Sequence, residues 1–155
     1  MSQIVAILKY EEGYRDEPFI DTQGYPTVGC GIKIGPKGAT LSSYIFKVPR
    51  QVGELWMQML VEGKIFDLRK RPLIAEALRQ CNEARADILI SMAYQMGVDG
   101  LAGFKETLRA IARGDFSSAA DGMLNSLWAR QTPGRAKRHA CVMRSGTLDS
   151  YRGLL

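Results

Sequence analysis

One histidine, His139, and three cysteines, Cys30, Cys81 and Cys141, are all that the 155-residue chain offers as soft metal ligands. No two cysteines form a CxxC pair, and a single histidine cannot complete a His/Cys ligand set, so no metal site is expected. The odd, widely spaced cysteines read as free, mostly buried thiols in a reducing compartment. No apolar run nears the roughly 18 residues of a membrane span. The run Ile4-Val5-Ala6-Ile7-Leu8 is brief, no basic residue precedes it, and Lys9, Glu11 and Glu12 follow, which fits neither a signal peptide nor an anchor. The expected product is soluble and cytoplasmic as made. Internal repeats and low-complexity segments are also missing.

What is present is a chain 46% apolar and 24% charged, enough for one domain with a real core and no disulfide staples. Its net charge of +5 is unevenly spread. From Trp128 to Leu155 six basic residues (Arg130, Arg135, Lys137, Arg138, Arg144, Arg152) face Asp149 alone, leaving the rest balanced at 15 basic and 15 acidic residues. A neutral body with a basic end suggests a polyanionic partner: nucleic acid, an anionic membrane or an acidic cell wall.

Along the chain, Ser2 can cap a first helix whose Ile4, Val5, Ile7 and Leu8 share a face, with Gly13 just past its end. Residues 14–48 change texture: Gly24, Gly29, Gly31, Gly35 and Gly38 with Pro18, Pro26 and Pro36 punctuate short runs that suit a small antiparallel sheet. Residues 49–71 read as a connecting helical segment, weakened by Gly53 and Gly63 into two pieces or one long connector. From Pro72 the pattern stays helical. Asn82 caps a segment (Ala86, Ile88, Leu89, Ile90, Met92, Ala93, Tyr94, Met96) with almost no polar face, which belongs in the middle of a bundle, and Gly97 and the Asp99-Gly100 turn end it. Ser117-Ser118 can cap a helix running to Trp128, and Thr132-Pro133 reads as N-cap and first helical residue of a basic helix to Arg144. The expected fold is α+β, mostly α, in one domain over 1–155: a first helix (1–13), a small antiparallel β lobe (14–48), the connector and a larger helical lobe (72–155).

The chemistry concentrates between Glu12 and Gly31. Glu12 falls in the last turn of the first helix, where the negative end of the helix dipole disfavours a second negative charge. Asp21 and Thr27 lie three residues either side of Gly24, so a hairpin over 22–26 would make them cross-strand neighbours roughly 5 Å apart at Cβ. A carboxylate beside a hydroxyl can hold one water between them. A carboxylic acid on one side of a sugar ring and a carboxylate on the other are what glycosidic hydrolysis requires. The blander reading has Glu12 as a solvated helix end, Asp21 as a turn residue and Thr27 as a strand filler.

The spacing Glu12-Gly13-(seven residues)-Asp21-Thr22-Gln23-Gly24-Tyr25-Pro26-Thr27-Val28-Gly29-Cys30-Gly31 resembles the active-site signature of the T-even bacteriophage lysozymes, glycoside hydrolase family 24. A second block, Met92-Ala93-Tyr94-Gln95-Met96-Gly97 with Gly100-Leu101-Ala102-Gly103-Phe104, is similar to the family. So is a third, Trp128 to Arg138, followed by Ser145-Gly146-Thr147 and Tyr151. The likeness runs in the family's order from the first helix nearly to the C terminus and is weakest over 39–71. It implies a lysozyme-like fold with a cleft between the lobes. The implied activity is an endolysin-type muramidase that inverts at the anomeric carbon of peptidoglycan, without metal or cofactor.

By that resemblance Glu12 would be the general acid, Asp21 would hold or deprotonate the water, and Thr27 would position it. Arg135 stands where the family pairs an arginine with the acid. Tyr94, Gln95, Thr107 and Gly122 match positions lining the cleft, Gln131 lies in the third block, and Lys33 replaces an apolar lining residue. For Tyr94 and Gln95, packing at the end of the buried helix is an equal alternative, and Trp128 reads as core. Where the family often has a histidine after the glycine matching Gly31, this chain has Ile32, so a supporting ion pair is missing.

The resemblance further implies peptidoglycan as the partner, with no protein partner required, a monomer, and synthesis in a host cytoplasm before a holin-type pore gives access to the periplasmic wall. A DNA-recognition helix at 132–144 would need a partner helix and turn that are lacking, so no nucleic acid is expected. The basic end is expected to attract an anionic cell envelope, an interaction that salt would weaken without slowing cleavage of short neutral oligosaccharides. The rival of a different class is an inactive wall-binding or outer-membrane-permeabilising protein on the same fold.

Overall fold

Proline and glycine set the local frame of the β segment. A computed structural model describes all 155 residues, Met1–Leu155. Helix α1 (Ile4–Glu12) is followed by strands β1 (Arg15–Ile20), β2 (Pro26–Gly29) and β3 (Ile32–Lys33), which form one antiparallel sheet in the order β1-β2-β3. Pro18 cannot donate to a ladder, and the β1–β2 register slips between Arg15 and Phe19, as a bulge allows. Arg15 pairs with Gly29, Phe19 with Thr27 and Ile20 with Pro26. Thr27 and Val28 pair across β3 with Lys33 and Ile32. The hairpin therefore sets Phe19, not Asp21, opposite Thr27. Asp21 instead closes the loop, its backbone N–H donating to the Tyr25 carbonyl.

Helix α2 (Arg50–Arg69) is one uninterrupted 20-residue helix rather than two pieces. Gly53 lies in its first turn, where a Cβ would collide with the Tyr14 ring, while at Gly63 nothing crowds. Helices α3 (Pro72–Gln80), α4 (Glu83–Ala102), α5 (Lys105–Ala112), α6 (Phe116–Leu124), α7 (Leu127–Gln131) and α8 (Pro133–Ser145) follow. α4 departs from helical backbone at Gly97 (φ 83°, ψ 163°) and then resumes to Ala102, so the expected stop there is a kink. No helix is long and apolar enough to cross a membrane.

The chain divides into two compact units, Leu8–Glu62 and Met1–Ile7 with Gly63–Leu155. In the first, Leu8, Val28, Cys30, Ile32, Val48, Met57 and Val61 are buried, and Tyr14 donates its hydroxyl to the Val48 carbonyl. Ile32, standing where a histidine was expected, is core of the sheet. In the second, α4 contributes Ile88, Leu89, Met92 and Ala93, all at 0% exposure, and α6 packs on α8 and α5. Burying that much apolar surface is worth roughly 1.5–3 kcal/mol per large side chain.

Several helix ends differ from expectation. Asp115, not Ser117 or Ser118, caps α6, because its carboxylate reaches the Ser118 N–H. α6 stops at Leu124, and Ser126 caps a separate α7 through the Ala129 N–H. Thr132 spends its hydroxyl on the Trp128 carbonyl and so caps nothing, although Pro133 opens α8 as its fixed φ favours. Asn82 caps α4 as expected. Of the thiols only Cys30 is buried; Cys81 is half-buried and Cys141 exposed.

Candidate active site

Four of the nominated side chains, Glu12, Asp21, Thr27 and Lys33, fall within the unit Leu8–Glu62. Glu12 is the last residue of α1, and Gly13 follows in the left-handed region (φ 65°), turning the chain into β1. Its half-buried carboxyl lies over the turn between β2 and β3: a Cβ on Gly31 would strike the Glu12 carboxylate, and Gly31 itself adopts φ 68°. That turn brings the acid beside the strand carrying Thr27. The buried Cys30 thiol, pushed up chiefly by burial, also feels the Glu54 and Glu12 carboxylates as it sits between Gly29 and Gly31.

Asp21 is anchored by backbone alone. Its Oδ1 accepts the N–H groups of Gln23 and Tyr25, each at 2.9 Å. Two amides on one oxygen fix the plane of the carboxylate, and Oδ2 keeps its lone pairs for a ligand. Thr27, 2% exposed, donates its hydroxyl to the Tyr25 carbonyl at 2.9 Å, the same oxygen that accepts the Asp21 N–H. With its proton committed, the Thr27 oxygen is left as an acceptor. Asp21 and Thr27 are thus joined through Tyr25, not face to face across the hairpin. Pro26 restricts Tyr25 to extended backbone, which suits that role. Lys33, opposite Thr27 on β3, is exposed and holds its ammonium 4.2 Å from the centre of the Tyr25 ring.

The other nominated residues lie in the second unit. Gln95, half-buried, accepts the Trp128 indole N–H at 2.8 Å, and Trp128 is 7% exposed, a core residue as expected. Thr107 is 5% exposed, and a Cβ on Gly122 would come within 2.6 Å of its hydroxyl oxygen, so this pair closes α5 onto α6. Tyr94 is half-buried and Gln131 exposed.

Arg135 is 6% exposed and donates to the Ser91 hydroxyl at 2.9 Å and to the Ser91 carbonyl at 3.3 Å. The same hydroxyl lies 2.8 Å from His139 Nε2, and His139 Nδ1 lies 2.8 Å from the Tyr151 hydroxyl. Because arginine can only donate, Ser91 accepts from it and gives its own proton to Nε2. The ring proton therefore sits on Nδ1 and points to Tyr151. Burial, then the charges of Arg135 and Arg138, holds His139 well below the usual histidine range, so it is neutral.

Residues 9–144 match the family described as phage lysozyme. The chain belongs to the phage lysozyme family. Over 98% of its length it is 29% identical to "Probable T4-type lysozyme 1" of Dictyostelium discoideum, covering 99% of that protein. Over 94% it is 33% identical to "Pre-baseplate central spike protein Gp5" of Enterobacteria phage T4, of which it spans 28%. "Endolysin" of Salmonella phage P22 shares 30% identity over 79% of this chain and 78% of its own. The architecture is that of the family: mostly helical, with one small antiparallel sheet.

The basic C-terminal stretch is less of a bare cation surface than its count suggests. Arg135 is buried, Arg144 pairs with Asp121 and Arg152 with Asp149, each at 2.7 Å. Arg130 and Lys137 remain exposed. Sequence reasoning passed over three contributors: the backbone of Tyr25, the Gly31 platform and the Ser91–His139–Tyr151 chain. The Gly29-Cys30-Gly31 spacing was the available signal for the second, since two glycines flanking one residue ask for positive φ. A lone histidine four residues after an arginine gave no comparable cue for the third.

Proposed function

We propose that this protein hydrolyses the β-1,4 bond between N-acetylmuramic acid and N-acetylglucosamine in peptidoglycan, by an inverting acid/base mechanism within one domain over 1–155. Glu12 protonates the leaving glycosidic oxygen. Asp21, through its unshared Oδ2, draws a proton from a water that also donates to the Thr27 oxygen, and that water attacks the anomeric carbon from the opposite face. Inversion requires room for the water between the two carboxyls, roughly 6.5–9.5 Å. The chemistry needs carboxyls and water only. The observation that carries the reading is the joint anchoring of Asp21 and Thr27 on the Tyr25 carbonyl beside a turn that bears the Glu12 carboxyl.

The endolysin relative supports a lytic setting, in which the protein is made in a host cytoplasm and reaches the periplasmic wall after holin-type permeabilisation. Mass spectrometry of digested sacculi tests the bond and the mechanism together. Reducing-end muramic acid is the expected product, whereas anhydro-muramic ends would mean a transglycosylase. Glu12→Gln is expected to lower turnover by about 10²–10⁴-fold while leaving the unfolding midpoint near wild type. Equal clearing of chloroform-treated cells by wild type and Asp21→Ala would instead support a wall-binding or membrane-permeabilising protein with an idle site.

A further inference from the structure

Cations gather around the Asp21 loop in a way the whole-chain charge conceals. Between Pro18 and Gly53 the chain carries four basic residues, Lys33, Lys37, Lys47 and Arg50, against one acid, Asp21. Lys47 is tied to Glu17 at 3.2 Å and Arg50 to Glu54 at 3.0 Å. Lys33 and Lys37 are exposed, and neither is in an ion pair. Both have fixed seats all the same. Lys33 faces Thr27 across the β2–β3 ladder, so the two side chains share one face of the sheet with Cβ atoms roughly 5 Å apart. Its ammonium lies 4.2 Å from the centre of the Tyr25 ring. The stem of Lys37 lies over Gly24, where a Cβ would meet its Cγ at 3.5 Å and its Cε at 3.7 Å. The backbone holds this arrangement: the Ile34 N–H donates to the Pro26 carbonyl and the Gly38 N–H to the Gly24 carbonyl, each at 2.9 Å. Two unpaired ammonium groups therefore sit against the loop whose amides hold Asp21.

We propose that Lys33 and Lys37 form a carboxylate-recognising pair, which makes the protein select glycan units by the charge of their side group as well as by ring shape. This rests on the hydrolytic reading of Glu12, Asp21 and Thr27. Muramic acid differs from glucosamine by a lactyl ether on the same ring. That group is a carboxylate when free; when a stem peptide is attached it is an amide, and the peptide brings carboxylates of its own. The N-acetylglucosamine unit is neutral. A cation beside the water held by Asp21 and Thr27 therefore separates the two sugars by charge.

Three features set this pair apart from a solvated basic face. An ammonium already resting on an aromatic ring gives up less side-chain freedom when a ligand arrives. The one local acid, Asp21, has Oδ1 committed to the Gln23 and Tyr25 amides and forms no ion pair with either lysine. The register places Lys33 opposite Thr27 itself, not at a remote edge of the sheet.

Calorimetric binding to Glu12→Gln tests this without turnover. The ligands are peptide-stripped glycan strands and peptide-bearing strands, each with its carboxylates free and methyl-esterified. Free acid is expected to bind about tenfold more tightly than ester, the range that two exposed ion pairs supply. The strand type that shows the preference tells whether lactyl or peptide carboxylates are the source. Adding Lys33→Met and Lys37→Met, which keep aliphatic stems over Tyr25 and Gly24, is expected to bring the ratio of acid to ester to about one. Lys33→Arg with Lys37→Arg should restore it, and Lys105→Met, in the other compact unit, should leave it alone. Lys33→Gln with Lys37→Gln serves if the methionine pair fails to give a native circular dichroism spectrum. Equal binding of acid and ester in both strand types, or a preference that survives the double variant, overturns the proposal. Failure of the hydrolytic reading shows separately, as sacculi from which the wild type releases no reducing-end muramic acid.

Discussion

Gly29 and Gly31 differ in one respect that matters, and this permits a test of where the acid is held. Both adopt positive φ (66° and 68°), so alanine at either costs about 1–2 kcal/mol of backbone strain. A Cβ on Gly29 meets its neighbours at ordinary contact distance, 3.6 Å to the Tyr14 ring and 3.7 Å to Ile32. A Cβ on Gly31 runs into the carboxylate end of Glu12, which must swing aside because the turn backbone cannot. Against a total stability on the order of 5–15 kcal/mol, both variants should fold and lose similar amounts in urea unfolding. Their activities should part. A shift of about 1 Å in a catalytic group can cost ~10²-fold, so Gly31→Ala is expected to release reducing ends from sacculi ten- to a hundredfold more slowly than Gly29→Ala, at about equal stability. Equal rates for the two variants would refute the idea that the Gly31 platform positions a working acid at Glu12.

Two further outcomes follow from the hydrogen-bond networks. His139 is neutral and buried, with its folded pKa lowered below its ordinary value near 6.5; below that pH the unfolded chain takes up a proton that the folded one refuses. Stability is therefore full above about pH 6.5 and declines as pH falls, by up to about 1.4 kcal/mol per pH unit from this group. Urea melts at pH 7.5, 6 and 5 should show a shallower acid decline for His139→Gln; identical slopes would remove His139 from the account. Tyr25→Leu removes the ring beneath Lys33 but keeps the N–H and carbonyl that hold Asp21 and Thr27. It should retain wall hydrolysis within about tenfold of wild type, whereas a loss as deep as that of Glu12→Gln would mean the ring itself takes part.

The helical part was legible because its signals are local: Asn82 ahead of an apolar run, and Pro72 and Pro133 at first helical positions. Where two capping residues compete, local signals mislead. Asp115 and Ser117-Ser118 all invite a helix start, and only the chain's exit from α5, with the Asp115 N–H donating to the Ala110 carbonyl, decides between them. The hairpin was harder still. Asp21 and Thr27 are symmetric about Gly24 in sequence, but a register is set by which groups bond across the loop. The Asp21–Tyr25 bond and the slip near Pro18 shift the pairing so that Thr27 faces Phe19.

That shift explains how a motif can single out residues while giving the wrong picture of how they are held in space. A side-chain motif records what touches substrate. The groups that hold those side chains here are main-chain: the amides of Gln23 and Tyr25 on Asp21, the carbonyl of Tyr25 on Thr27, and the Cβ-free face of Gly31 beneath Glu12. Any residue compatible with the turn could supply the first two, so Gln23 and Tyr25 left no mark of their role in the sequence. Gly31 did leave one, because only glycine combines positive φ with an absent Cβ. A site positioned by backbone is thus read from sequence chiefly through its glycines, and the Gly29-Cys30-Gly31 turn carries more positioning information than the polar residues around it.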